Sequence, residues 1–313
     1  MKAITYHQFG SAEVLKLEEV AAPTAPVNGV VVRMHASSVN VIDSRSRNGL
    51  MSPFVNKKFP KITGADVAGV VSAVGANTKR FKVGDKVFGA TNAFKGGAFA
   101  EQVALAENQL APLPPLLTFE QAAALPITGL AALLALRGLG KTKAGDEVLI
   151  YGSSGAAGLY AVQIAKHFGA RVTTVSGTAG AKVSKQMGAD VALDYKAGPV
   201  KFSGKFDVIV DFSSQFPFEK ARPHLKSTGR FIESSPTIPK FLGSLIANLF
   251  RSQKHLMLTA AAKTSELEFL ASLVEAGKLK VTIAKTYPLT DAKQAFLEQE
   301  KGGTVGKIVV IAD

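Results

Sequence analysis

The chain has 313 residues, 47% of them hydrophobic, and a formal net charge of +13, which suits roughly two cored domains and a surface attractive to polyanions. It has no cysteine, which excludes disulfides, thiolate metal sites and a thiol nucleophile, and its five histidines are scattered without the pairing of a metal motif. No apolar stretch reaches the ~20 residues that span a bilayer, and strand-like sequence begins almost at once, so a soluble, cytoplasmic protein without a leader is expected.

Residues 1–123 read as mostly β. Apolar runs such as "NGVVVRMHASSVN", "DVAGVVSAVG", "GDKVFGA" and "AFAEQVAL" are separated by Gly, Asn, Asp and Pro turn signals. The Ala- and Leu-rich stretch "PLLTFEQAAALPITGLAALLALRGLG" reads as helical, with Pro126 near a helix start, where its missing N–H costs little. From Asp146 onward strands alternate with helices. The predicted strands are "EVLIY", "ARVTTV", "VALDY", "FDVIVDF", "GRFIES" and "HLML", and "LYAVQIAKHFG" and "AGAKVSKQMG" are of helix length. Continuous apolar strands spaced by helices predict a parallel sheet covered on both faces. Beyond about Leu258 come two helical segments and a closing strand, "GKIVVIAD".

Between "EVLIY" and the next helix stand Gly152-Ser153-Ser154-Gly155-Ala156-Ala157-Gly158, three glycines at three-residue spacing. Glycines there let the backbone turn tightly and approach a ligand, and the N–H groups at the helix start face an anion. Ser153 and Ser154 are further donors to a pyrophosphate. A strand before, a helix after and a second strand about 24 residues on fit dinucleotide binding, although glycines also close ordinary strand–helix turns. An acid at the end of the second strand would grip the ribose of NAD. Here the strand runs Val175-Ser176-Gly177-Thr178, with Lys182 and Lys185 downstream, which favours NADPH over NADH. The alternative for the two lysines is the solvated face of the next helix.

Taken in order, "SSVNVIDSRSRNG", "FPKITGADVAGVVSAVG", "RFKVGDKVFG", "GGAFAEQVA", "AAALPITGLAA", "YGSSGAAGLYAVQIAKHFGARV", "MGADVALDY" and "GKIVV" resemble the zinc-independent quinone oxidoreductase branch of the medium-chain dehydrogenase/reductase superfamily, including its chloroplast-envelope homologues. The resemblance spans essentially the whole chain. It implies an α/β protein: a β-rich, GroES-like catalytic domain from residues 1–123 and 262–313, and a Rossmann domain with a doubly wound parallel sheet from residues 124–261. Zinc-using relatives carry a Cys and a Gly-His-Glu; those places hold Asn40 to Asp43 and Gly64-Ala65-Asp66 here, so no metal is expected.

By the same resemblance, Asn40 contacts the nicotinamide end and Thr128 touches the cofactor. Residues 153–158 hold the pyrophosphate, and Ser176, Gly177 and Lys182 surround the adenosine ribose phosphate. Tyr195 packs near the adenosine, Phe212, Ser234 and Ser235 line the nicotinamide ribose, and Lys307 reaches back towards the cofactor. Two departures stand out: relatives often have Arg or Lys where this chain has Thr178-Ala179, and His where it has Thr304. Other readings stay open from the residues alone. Asn40 fits a turn, Asp43 a helix cap, Asp66 a structural acceptor of backbone donors, and Tyr195 a half-buried core position.

The implied reaction is reduction of quinones or α,β-unsaturated carbonyls, whose conjugation spreads the incoming charge and lessens the need for a Lewis acid. Asn40, a backbone donor or water would steady the developing oxyanion. A non-enzymatic NADPH-binding role at nucleic acid or a membrane surface is the alternative suggested by charge. No run of five basic residues and no aromatic–basic RNA motif supports nucleic acid, and a homodimer is left open. Finally, "PKFLGSLIANLFRSQKHL" is a basic amphipathic helix with Phe241, Leu242, Leu245, Ile246, Leu249 and Phe250 on one face. Three readings fit it: packing on its own domain, a lid offering Phe241, Leu245 and Leu249 to an apolar substrate cleft, or docking on a membrane surface.

Overall fold

The computed structural model describes residues 1–51, 58–234, 238–259 and 262–312. The chain divides into two compact units: Met1–Ile127 with Ala261–Gly277 and Val281–Asp313, and Thr128–Ala260 with Lys278–Lys280. Sequence reasoning set the boundaries at 123 and 262. The first falls four residues later because the Ile127 N–H is bonded to Asp66, which ties the start of a helix to the first unit.

In chain order the first unit opens with strands β1 (Lys2–Tyr6), β2 (Lys16–Glu19) and β3 (Gly29–Ser38), helix α1 (Val41–Arg47), and strands β4 (Lys61–Ile62), β5 (Asp66–Val74), β6 (Lys86–Ala90), β7 (Gln102–Ala106) and β8 (Leu110–Pro112). Helices α2 (Phe119–Ala123) and α3 (Pro126–Leu133) follow. The second unit contains β9 (Glu147–Tyr151), α4 (Ala156–His167), β10 (Arg171–Ser176), α5 (Thr178–Gln186), β11 (Val191–Asp194), β12 (Phe206–Asp211), α6 (Phe218–Ala221), β13 (Leu225–Glu233), α7 (Ile238–Phe250) and β14 (Lys254–Met257). The first unit resumes with α8 (Thr264–Glu275), β15 (Ile283–Pro288), α9 (Ala292–Lys301) and β16 (Lys307–Ile311).

In the first unit β3 is the organising strand, antiparallel to β5, β7 and β16. Its apolar side chains Val32 and Met34 join Val71, Phe99, Phe296 and Val310 in one buried core. Register has a consequence for chemistry. Ala36 pairs with Ala68 and Ser38 pairs with Val309, so the end of β3 lies between the starts of β5 and β16. Residues 38–40, 66 and 307 are thereby gathered from across the chain.

The second unit is a six-stranded sheet in the order β11-β10-β9-β12-β13-β14, and every pair in it is parallel. Counted within the unit, that order is 3-2-1-4-5-6, the doubly wound arrangement in which the chain reverses direction of growth at its first strand. The strands are long apolar runs because helices cover both faces. Their carboxyl ends lie in a row: Tyr151 beside Asp211 and Val175, Ser176 beside Asp194, Asp211 beside Glu233. Among the described residues no helix is long and apolar enough to cross a membrane.

Candidate active site

The turn after β9 hangs on β10, since the N–H groups of Gly152 and Ser153 both donate to the Val175 carbonyl, at 2.9 and 3.3 Å. The three glycines do three different things. Gly152 has φ +80°, a conformation that costs other residues strain. Gly155 is the N-cap of α4, offers no side-chain cap, and has nothing within 4 Å of where a Cβ would stand. At Gly158 a Cβ would come 2.5 Å from the Ser153 Cα, so helix and turn touch backbone to backbone. Gly180 of α5 presses equally close on Ser154. The first-turn N–H groups of α4, from Ala156, Ala157 and Gly158, therefore lack a side-chain cap, beside the side that Gly155 leaves open, with the positive end of the helix dipole behind them. Ser153 is not on that open side: it is fully buried, and its hydroxyl accepts from Ser184 at 2.8 Å.

At the end of β10, Ser176 is buried and Gly177 caps α5 without a side chain. A Cβ at Gly177 would stand 3.4 Å from both the Tyr195 Oη and the Lys196 Cε. Lys196 is thus the basic residue beside this position, and sequence reasoning missed it; its signal was its place directly after "LDY". Lys185 donates to the Asp190 carbonyl at 2.7 Å, and Lys182 is exposed on α5. Tyr195 is 52% exposed, so it is not a core residue. An acid does lie near the strand end, brought there by pairing with β11. Asp194 sits beside Ser176 and is bonded by the Thr178 hydroxyl and the Lys196 N–H, which hold its carboxyl below the usual range.

On the other side of the switch point, the Phe212 N–H donates to the Tyr151 carbonyl at 2.9 Å and the Ser234 N–H to the Asp211 carbonyl at 3.2 Å. The Asp211 side chain organises this loop, accepting from the Ser213 hydroxyl at 2.6 Å and the Phe216 N–H at 3.0 Å, while burial pushes its carboxyl up. Nothing in the sequence singled Asp211 out except its place at a strand end. Thr128 is half-buried in α3, and Ser235 lies outside the described residues.

The first unit holds a buried polar cluster. Asn40, Asp43 and Lys307 are each 3% exposed and Asp66 is 0% exposed. The Asp66 carboxylate accepts from the Ser38 hydroxyl at 2.6 Å, the Asn40 amide at 2.9 Å and the Ile127 N–H at 2.8 Å, and the Lys307 ammonium lies 3.4 Å away. Asn40 also donates to the Ser38 carbonyl at 3.3 Å and accepts from Lys307 through its amide oxygen. Both ends of that amide are therefore committed inside the unit. The Lys307 ammonium likewise ends in the cluster, and burial lowers its pKa against the pull of Asp66 and Asp43. Asp43 accepts the Asn40 N–H at 2.9 Å and so closes the first turn of α1. Burial first, and the nearby Asp66 second, push its carboxyl up to about 7.

These donors do not fit zinc. Ala65 is buried with no ligating atom, and the Asp66 oxygens face an ammonium and three other donors. Among the described residues no group of three or more His, Cys, Asp or Glu is able to hold a metal ion. Of the three readings of α7, packing of its apolar face on its own domain does not hold, since Phe241, Leu242, Leu245, Ile246, Leu249 and Phe250 are 37–85% exposed.

Comparison with known proteins covers both units. A family described as "Alcohol dehydrogenase GroES-like domain" matches residues 27–115, and one described as "Zinc-binding dehydrogenase" matches residues 187–310. The chloroplast envelope quinone oxidoreductase homolog of Arabidopsis thaliana is 35% identical over 99% of this chain and 98% of its own length. Among solved structures, the quinone oxidoreductase of Coxiella burnetii superposes with a TM-score of 0.92 at 30% identity, covering 100% of this chain and 99% of that one. The Escherichia coli quinone oxidoreductase complexed with NADPH gives 0.86 at 28% identity, covering 99% and 100%.

Burial of Asp43 sets a pH dependence. Its folded pKa lies above the unfolded value, so the folded state holds the extra proton between pH ~4 and the folded value of about 7. Stability contributed by the neutral carboxyl is full below that window and falls through it at up to about 1.4 kcal/mol per pH unit. Asp43→Asn, which keeps an acceptor for the Asn40 N–H, should gain stability over the parent as pH rises from 5 to about 7 in urea titrations. A constant difference across that range would count against the buried neutral form.

Proposed function

The chain belongs to the quinone oxidoreductase branch of the medium-chain dehydrogenase/reductase superfamily and is an oxidoreductase, and from that premise we propose that it reduces quinones and α,β-unsaturated carbonyls with NADPH and without a metal. The observation that carries the reading is the turn from Gly152 to Gly158, which leaves the first N–H groups of α4 uncapped at the switch point of a doubly wound sheet. In this proposal the amides of residues 154–158 receive the pyrophosphate. Ser176, Gly177, Lys182, Tyr195 and Lys196 take the adenosine end, and Thr128, Phe212 and Ser234 the nicotinamide ribose. A bound nicotinamide would supply the hydride, and the chain supplies orientation and electrostatics.

The buried cluster then has a positioning role. The Asn40 amide has no free donor, so a backbone N–H or water, and not Asn40, steadies the charge that develops on the acceptor oxygen. Conjugated acceptors suit such a site because their charge is already spread. The metal-free reading rests on the Lys307 ammonium sitting at the carboxylate where zinc-using relatives need a ligand. NADPH is favoured because a cation, Lys196, stands beside Gly177 while the nearby Asp194 is already bonded by Thr178. The non-enzymatic alternative is not favoured, since the relatives are named as enzymes.

The direct test is loss of NADPH absorbance with 1,4-benzoquinone and a short 2-alkenone, before and after exhaustive chelation. Turnover that survives chelation is expected; turnover absent with every acceptor, or restored only by zinc, would end the proposal.

For cofactor choice, Lys196→Ala should raise KM for NADPH about tenfold or more, as expected for a lost charge-assisted bond, and leave KM for NADH nearly unchanged. Equal losses with both cofactors would place Lys196 outside phosphate recognition.

A further inference from the structure

An acid beside the end of a second strand ordinarily grips the ribose hydroxyls of NAD and disfavours a 2′-phosphate. Asp194 stands in such a place, paired with Ser176 across β10 and β11, yet its carboxylate is spent within the unit. Its Oδ1 accepts the Lys196 N–H at 2.8 Å, and the Thr178 hydroxyl and the Ala197 N–H are bonded to the same carboxylate. Of the roughly four acceptor positions that a carboxylate offers, three are therefore taken. The partners come from two places. Thr178 is the first residue of α5, whereas Lys196 and Ala197 belong to the turn after β11. The carboxylate joins that turn to the helix start, where its charge also suits the positive end of the helix dipole.

Backbone bonds close the turn around it. The Tyr195 N–H donates to the Ser176 carbonyl at 3.1 Å and the Ala197 N–H to the Asp194 carbonyl at 3.2 Å. Lysine carries its charge on a flexible stem, so placing that charge takes an anchor. Here the anchor is the Lys196 N–H on the Asp194 side chain, and the stem lies against Gly177. A Cβ at Gly177 would stand 3.4 Å from the Lys196 Cε, 3.6 Å from its Cδ and 3.4 Å from the Tyr195 Oη. Gly177 is the N-cap of α5 and brings no side chain of its own to this place. We propose, on the NADPH reading, that Asp194 is a positioning residue for the 2′-phosphate: it clasps the turn bearing Tyr195 and Lys196 to the start of α5, so that hydroxyl and ammonium converge over Gly177. The acid thereby serves NADPH through the groups it holds, and does not serve NAD through the ribose.

The test is calorimetric titration of the full chain with 2′,5′-ADP and with 5′-AMP, which differ by the 2′-phosphate. The parent should bind 2′,5′-ADP the more tightly. Asp194→Ala should shrink that preference about tenfold, the loss expected when a charge-assisted clasp is removed. Asp194→Asn keeps an acceptor for the Lys196 N–H and should hold the preference within about threefold of the parent's. In turnover, Asp194→Ala should raise KM for NADPH about tenfold and leave kcat at saturating NADPH near the parent's. Thr178→Val opens the clasp from the helix side at constant charge and should shrink the preference in the same direction, which keeps the proposal testable should the alanine variant fail to fold in a thermal melt. A preference that survives both Asp194→Ala and Thr178→Val would overturn the proposal. So would a preference that grows in Asp194→Asn, since Asp194 would then be a repelling charge, and so would equal losses on both nucleotides, which would mark a role in the fold alone. A parent that binds the two nucleotides alike would overturn the NADPH reading and this proposal with it.

Discussion

The Lys307 ammonium buried against the Asp66 carboxylate is the contact on which the first unit turns. Taking two charges out of water costs several kcal/mol per ion, and their attraction offsets this only when the remaining donors and acceptors are met. Here they are met by Ser38, Asn40 and the Ile127 N–H. Each of those partners belongs to a different element. The cluster therefore fixes the end of β3, the starts of β5 and β16, the first turn of α1 through Asn40 and Asp43, and the first turn of α3. Removing one member leaves an uncompensated charge under the sheet, which costs more than the pair contributes.

Helix starts differ in what meets them. The α2 start is capped by the Thr118 hydroxyl, and the Ile127 N–H in the first turn of α3 is bonded to Asp66. Helices α4 and α5 begin at Gly155 and Gly177, with no side chain to accept their first N–H groups. An acceptor from outside is then the remaining partner, and phosphate is well suited to it. Close packing of Gly158 on Ser153 and of Gly180 on Ser154 holds these amides in place before any ligand arrives. Such fixed dipoles are useful because little reorganisation is needed on binding.

Much of this was legible in the residues. The parallel strands announced themselves because both of their faces are buried, leaving unbroken apolar runs such as "VLI" in β9 and "VIV" in β12. The glycine spacing located the strand–helix turn, and the alternative of Asp66 as an acceptor of backbone donors anticipated the Ile127 bond. Contacts made by register were hidden. Lys307 and Asn40 are 267 residues apart and meet because β16 pairs antiparallel with β3. Asp194 reaches Ser176 by strand pairing, and Lys196 reaches Gly177 by the turn after it. Amphipathic spacing in α7 revealed an apolar face but not its direction. Direction was decided by Asn248, whose amide is bonded to the sheet edge and turns the leucines outward.

The measurement that tests the central role of the buried pair most directly is a double-mutant cycle in urea on Lys307→Met and Asp66→Asn. Each single change should cost about 3–5 kcal/mol, because it strands the other buried group, and the double change should cost clearly less than the sum. Single costs below about 1 kcal/mol that add without coupling would contradict the account and make the cluster incidental to the fold.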